Sequence, residues 1–189
     1  MKKLTLTVLA ASMGMSVFAS TQASNKTDWW HQYGLHYDVG TQVSYGANNA
    51  DSGIELFTGA SFLRVFSTGV SVSQLTDSSN GKHYQKTKAS VGASLPFKIS
   101  PYAVASLYRY YNDSKSRSWR KEADLGVTWH IAKTYSVYGE WDNALLDRSS
   151  QNFEIGASHS FGTFSVTPSV DFGRSDNSVS ANLSVQYNF

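Results

Sequence analysis

Val179-Ser180-Ala181-Asn182-Leu183-Ser184-Val185-Gln186-Tyr187-Asn188-Phe189 ends the chain, and its side chains alternate apolar and polar without a break. Val179, Ala181, Leu183, Val185, Tyr187 and Phe189 share one face, and the serines, asparagines and glutamine between them share the other. A period of two is the signature of a β-strand with one greasy and one wet side. A strand of this kind at the end of a chain satisfies its backbone when it pairs with the first strand and closes a barrel.

Working back from that strand, the same alternation marks ten segments. They lie at residues 33–45, 54–63, 66–75, 84–95, 101–111, 119–131, 135–143, 151–161, 164–174 and 179–189. Their lengths suit tilted membrane strands, which need roughly 9–11 residues. The links between them alternate too. Polar stretches rich in Asn, Asp, Ser and Gly follow the odd-numbered strands, and tight links such as Gly162-Thr163 follow the even-numbered ones. Short turns at one end and longer loops at the other are the habit of outer-membrane barrels. The expected fold is all-β, a closed antiparallel up-and-down transmembrane β-barrel of ten strands, with eight the alternative count. Two places strain the pattern. The link at Leu63–Phe66 has no Gly, Asn or Pro, and Pro168 sits mid-strand, where a missing ladder hydrogen bond predicts a bulge.

The other end of the chain agrees with export. Met1-Lys2-Lys3, the apolar stretch 4–18 and the small residues after it have the form of a secretory signal, with cleavage after Ala19 or Ala23. The stretch is shorter than the roughly 20 residues a helical span requires. This divides the chain into a signal peptide at 1–23 and a barrel domain at 24–189. The sequence has no cysteine, which excludes disulfide staples and thiolate metal sites. Without Lys2 and Lys3 the 16 basic residues become 14, equal to the 14 acidic ones. No global field for a polyanion is left, and no nucleic-acid partner is expected.

Phe189, with the aromatic Tyr187 two places earlier, resembles the C-terminal assembly signal of bacterial outer-membrane β-barrels. Together with the export signal and the strand–loop rhythm, it makes the chain similar to small barrels of the porin-like, OmpX–OmpA type. The resemblance implies a Gram-negative outer membrane with both termini periplasmic. It also implies insertion by the barrel assembly machinery, contact with membrane lipid and lipopolysaccharide, and no cofactor. It names no solute and no oligomeric state.

Alternation assigns the two faces. Outward aromatics are expected to form girdles: Tyr33, Phe66, Tyr102, Trp129, Tyr135, Phe161, Phe164, Tyr187 and Phe189 at one end, and Tyr45, Tyr110, Trp141, Phe153 and Phe172 at the other. Small inward residues, among them Gly40, Gly126 and Gly156, either leave a water-filled passage or ease curvature while Phe57, Leu63, Leu107, Tyr111 and Tyr138 fill the middle. The candidate lumen residues are Asp38, Glu55, Lys88, Arg109, Asp124, Glu140 and Asp171, joined by Glu122, Asp142, Glu154, Lys86 and Arg120. Their acidic excess favours cations if a path exists, and forms a salt-bridge network if none does. Lys115, Arg117, Arg120 and Lys121, in the densest basic run, are the candidates for lipopolysaccharide phosphate, unless they are simply solvated loop tips.

Two functions follow as expectations. The first is a narrow porin-like passive channel for small solutes. The second is a closed barrel that contacts lipopolysaccharide or host and envelope partners through its loops. No nucleophile elbow, metal-ligand spacing or phosphate loop occurs, and alternation sends His159 and Ser160 to opposite faces. A protein that is not an enzyme, with no metal, is expected.

Overall fold

The structure is a computed structural model that describes residues 34–47, 50–63, 65–111, 119–143, 151–174 and 177–189. The expected signal peptide with its candidate cleavage points Ala19 and Ala23, the expected girdle residue Tyr33, and the phosphate candidates Lys115 and Arg117 lie outside the described residues.

Among the described residues there are ten strands: β1 His36–Ala47, β2 Ser52–Phe62, β3 Phe66–Thr76, β4 His83–Ser94, β5 Ile99–Tyr111, β6 Arg120–Ala132, β7 Tyr135–Asp142, β8 Asn152–Phe161, β9 Phe164–Gly173 and β10 Val179–Asn188. Each pairs antiparallel with the next, and β10 returns to β1, so the sheet is a closed barrel. The closing ladder runs from Asp38↔Asn188 to Ala47↔Val179. The Phe189 amide donates to the Tyr37 carbonyl at 2.9 Å, so the last residue is held in the seam. The ten-strand expectation stands, and the eight-strand alternative falls.

Apolar side chains cover the outside. Val43, Ile54, Leu56, Val91, Leu125, Val127, Ile155 and Leu183 are exposed there, and Phe66, Trp129, Phe161, Phe164, Tyr45, Trp141, Phe153 and Phe172 stand outward near the strand ends. Three threonines on this surface hydrogen-bond to backbone carbonyls. Thr41 Oγ1 donates to the Glu55 carbonyl at 3.1 Å, Thr68 Oγ1 to the Ser90 carbonyl at 3.2 Å, and Thr58 Oγ1 to the Asp38 carbonyl. A soluble protein does not display an apolar band of this extent. Hydrocarbon accepts it, because the closed ladder leaves no strand edge unpaired.

In β5 the alternation is the reverse of the one expected. Ser100, Tyr102, Val104, Ser106 and Tyr108 are buried, while Ile99, Pro101, Ala103, Ala105, Leu107 and Tyr111 are exposed. Tyr102 and Tyr110 therefore leave the girdles and enter the lumen. Arg109, Leu107 and Tyr111 leave the lumen for the outer wall. Both faces of β5 carry apolar groups, so periodicity alone does not choose between them. The choice is made by the neighbouring strand, where Gly126 offers Tyr102 a seat.

Two turns also depart from expectation. Between β2 and β3, Leu63 is not a lumen plug. It is 51% exposed and takes φ 55, the left-handed conformation usually left to glycine. This is how the hairpin closes without a turn residue. Leu63→Gly is expected to stabilise the barrel by about 0.5–1 kcal/mol, the left-handed penalty less the extra freedom of the unfolded chain. A lower urea midpoint for the variant would refute this. At Pro168 no bulge forms. The β8–β9 register is the same on both sides of the lapse, from Gly156↔Ser169 to His159↔Val166. Inside the gap Thr167 Oγ1 donates to Ser158 Oγ at 3.0 Å and takes the place of the lost rung. The register shift lies instead on β6, between His130 and Ala132.

Candidate functional site

The lumen is shaped by rings seated on glycines. Phe57 stands directly across the β1–β2 ladder from Gly40, Tyr102 across β5–β6 from Gly126, and Tyr138 across β7–β8 from Gly156. A Cβ on these glycines would come within 2.3 Å of the Phe57 ring, 2.2 Å of the Tyr102 ring and 2.4 Å of the Tyr138 ring. Each ring thus lies along the wall, over a strand that has no side chain there. Phe57 and Tyr102 are buried, at 3% and 7% exposure. A glycine costs a strand entropy and packing, and the seated ring returns apolar contact.

The tyrosine hydroxyls then reach carboxylates. Tyr138 Oη donates to Glu154 Oε1 at 2.5 Å. Tyr102 crosses Gly126 and hydrogen-bonds Glu140, which stands opposite that glycine on β7. Ser73 Oγ donates to Glu55 Oε2 at 2.8 Å, and Asn152 Nδ2 to Asp171 Oδ2 at 3.4 Å. Lys88 on β4 reaches past β5 to β6, with Nζ 2.5 Å from Glu122 Oε2 and 3.8 Å from Asp124 Oδ2. The Asn143 amide donates to Asp124 Oδ1 at 3.0 Å. These contacts run along the sheet, to the neighbouring strand or past one strand to the next, so the polar groups line the wall.

Asp124, Glu140 and Asp142 each present a carboxylate oxygen within 4.8 Å of the others. Oxygen donors at this spacing suit a hard cation, although Lys88 already offsets part of their charge. Alternation along the sequence had placed all three inward without showing that they converge. At the loop end of the lumen, Lys86 lies over the Tyr108 ring at 4.7 Å and Arg120 over the Tyr110 ring at 5.6 Å. Tyr84 meets Tyr110 edge-on at 5.4 Å and hydrogen-bonds Asp51. This aromatic rim was missed because it depends on the parity of β5.

The expected lumen residues Asp38, Glu55, Lys88, Asp124, Glu140 and Asp171 do face inward, on β1, β2, β4, β6, β7 and β9. Arg109 does not. Of the expected phosphate ligands, Arg120 turns into the rim, because it pairs with the buried Tyr108, while Lys121 turns outward opposite Leu107. Tyr187 and Phe189 stack edge-on at 4.6 Å on the outer wall beside Phe164. His130 Nε2 lies 3.3 Å from Ser100 Oγ, but that hydroxyl donates to the Phe97 carbonyl at 2.7 Å. The serine proton is thus committed to closing a turn, and the other ring nitrogen of His130 has no partner among the described residues. A nucleophile and base with no orienting acid make a poor catalytic set.

No family model matches the chain, and no curated protein does. Solved structures match it in shape. Outer membrane protein Omp33 of Acinetobacter baumannii aligns at 11% identity over 82% of this chain and 98% of that one, with TM-score 0.48. The KdgM porin aligns at 15% identity over 82% and 98%, with TM-score 0.44. The N-terminal β-barrel domain of OprF from Pseudomonas aeruginosa aligns at 15% identity over 82% and 97%, with TM-score 0.40. The likeness is one of fold.

Proposed function

We propose that the chain is an outer-membrane barrel that serves as a narrow passive channel for small solutes and favours cations. Residues 1–23 act as its export signal, and both termini face the periplasm. The single observation that carries this reading is the arrangement of the lumen. Three of its large rings lie flat on glycines of the wall, and its inward carboxylates (Asp38, Glu55, Glu122, Asp124, Glu140, Asp142, Glu154 and Asp171) face, among the described strand residues, three inward cations, Lys86, Lys88 and Arg120. A lumen with an excess of one sign of charge raises the local concentration of counter-ions.

The test is single-channel recording of the purified chain in a planar bilayer under a potassium chloride gradient. Discrete conductance steps and a reversal potential of cationic sign are expected. The absence of steps above bare bilayer, or an anionic reversal potential, refutes the channel. A closed barrel acting through its loops is the second reading. It is favoured by the burial of Ser71 and Ser73, 0% and 2% exposed, on the inner face of β3. The apolar outer band supports lipid contact under either reading, and the assembly machinery is the expected route of insertion.

A further inference from the structure

Arg109 on β5 and Lys121 on β6 stand out because of where they point. Among the described strand residues, the outward-facing positions hold no carboxylate, and these are the two formal charges. Both are basic, and both lie at the loop end of adjacent strands. Lys121 stands opposite Leu107 in the ladder, so Arg109 is its diagonal neighbour on the same face. Diagonal neighbours on one face are roughly 7–8 Å apart, within reach of one group for two long side chains.

A charge on a lipid-facing wall is costly at the bilayer centre and nearly free at the headgroup level. Two like charges side by side still repel unless an anion joins them. The guanidinium of Arg109 lies over the Tyr111 ring at 5.2 Å, which sets its plane. Its Nε is buried and has no hydrogen-bond partner among the described residues. Thr87, opposite Arg109 on β4, is uncharged. The outer N–H groups of this planar fork and a neighbouring ammonium, at the loop end of the outer wall, fit a phosphate monoester.

We propose that Arg109 and Lys121 form a clamp for the phosphate of a phosphorylated glycolipid in the outer leaflet, with Tyr111 as its backing. The proposal rests on the outer-membrane reading, but not on the channel. Of the expected basic run it keeps Lys121, drops the inward Arg120, and adds Arg109 on the outer wall.

The test uses the full chain in detergent micelles, titrated with bisphosphorylated lipid A, with dephosphorylated lipid A and with inorganic phosphate, and followed by native mass spectrometry. The wild-type chain is expected to hold the bisphosphorylated lipid about tenfold more tightly than the dephosphorylated one. Arg109→Gln with Lys121→Gln is expected to abolish that preference, and Arg109→Lys to weaken it. Heat-modifiable gel migration and channel conductance should not change in these variants. A double variant that keeps the preference overturns the clamp. Full competition by inorganic phosphate overturns its assignment to lipid. Failure of the wild-type chain to insert into lipid vesicles overturns the outer-membrane reading itself, and is distinguished from the other outcomes by the gel.

Discussion

Lys88→Met is expected to destabilise the folded barrel by about 3 kcal/mol. Lys88 Nζ touches Glu122 at 2.5 Å and approaches Asp124 at 3.8 Å, and the two acidic side chains are only 12% and 3% exposed. Removing the ammonium leaves two carboxylates side by side in a poorly hydrated wall. Such a loss costs more than the pair contributes, because the remaining charges have already been stripped of water. Lys88 is itself 25% exposed, so the cost belongs at the lower end of the usual range. Lys86, over the Tyr108 ring, still acts on Glu122 and Asp124, which also holds the cost toward that lower end.

The measurement is the urea midpoint of the chain folded into lipid vesicles. The Lys88→Met, Glu122→Gln double variant should lose less than the sum of the two single variants, because neutralising Glu122 removes part of the repulsion. Additive losses would show that lumen water screens these groups. The wall would then not be held by this ion pair.

What the sequence made legible depended on contrast between the faces. In β10, and in β1 apart from Thr41, one parity is apolar and the other is polar or glycine, so face and closure could both be anticipated. The outward girdle of Trp129, Trp141, Phe153 and Phe172 and the inward carboxylates followed from the same contrast. In β5 the contrast vanishes, because tyrosine and valine occupy one parity while isoleucine, leucine and alanine occupy the other. A ring that stacks on a glycine counts as apolar in sequence even though it faces the lumen. The error at Arg109 and the omission of the Tyr84–Tyr110 rim share this cause. The Leu63 hairpin was obscured because its left-handed residue is not glycine. Pro168 misled in the opposite direction: its lost rung is compensated by the side-chain pair between Thr167 on β9 and Ser158 on β8, which no local pattern reveals.

Gly126→Val is expected to cost about 2–3 kcal/mol and to lower the conductance of the channel in the same variant. A Cβ at this position would lie 2.2 Å from Tyr102 Cζ and 2.3 Å from its hydroxyl, so the ring has to leave the wall. Leaving breaks the hydrogen bond to Glu140 and strips the packing of a side chain that is now 7% exposed. The ring can move only inward, because the outer side of the sheet is closed by its ladder with β6. Gly139→Ala is the control. Gly139 faces outward, its nearest neighbour to an added Cβ is 3.6 Å away, and its change should stay within about 0.5 kcal/mol. Tyr102→Ala in the Gly126→Val background should restore conductance and recover part of the stability, a coupling expected only if ring and glycine share one space. If Gly126→Val matched Gly139→Ala in both urea midpoint and conductance, Tyr102 would not be seated on the wall, and the open lumen inferred from that seating would be lost with it.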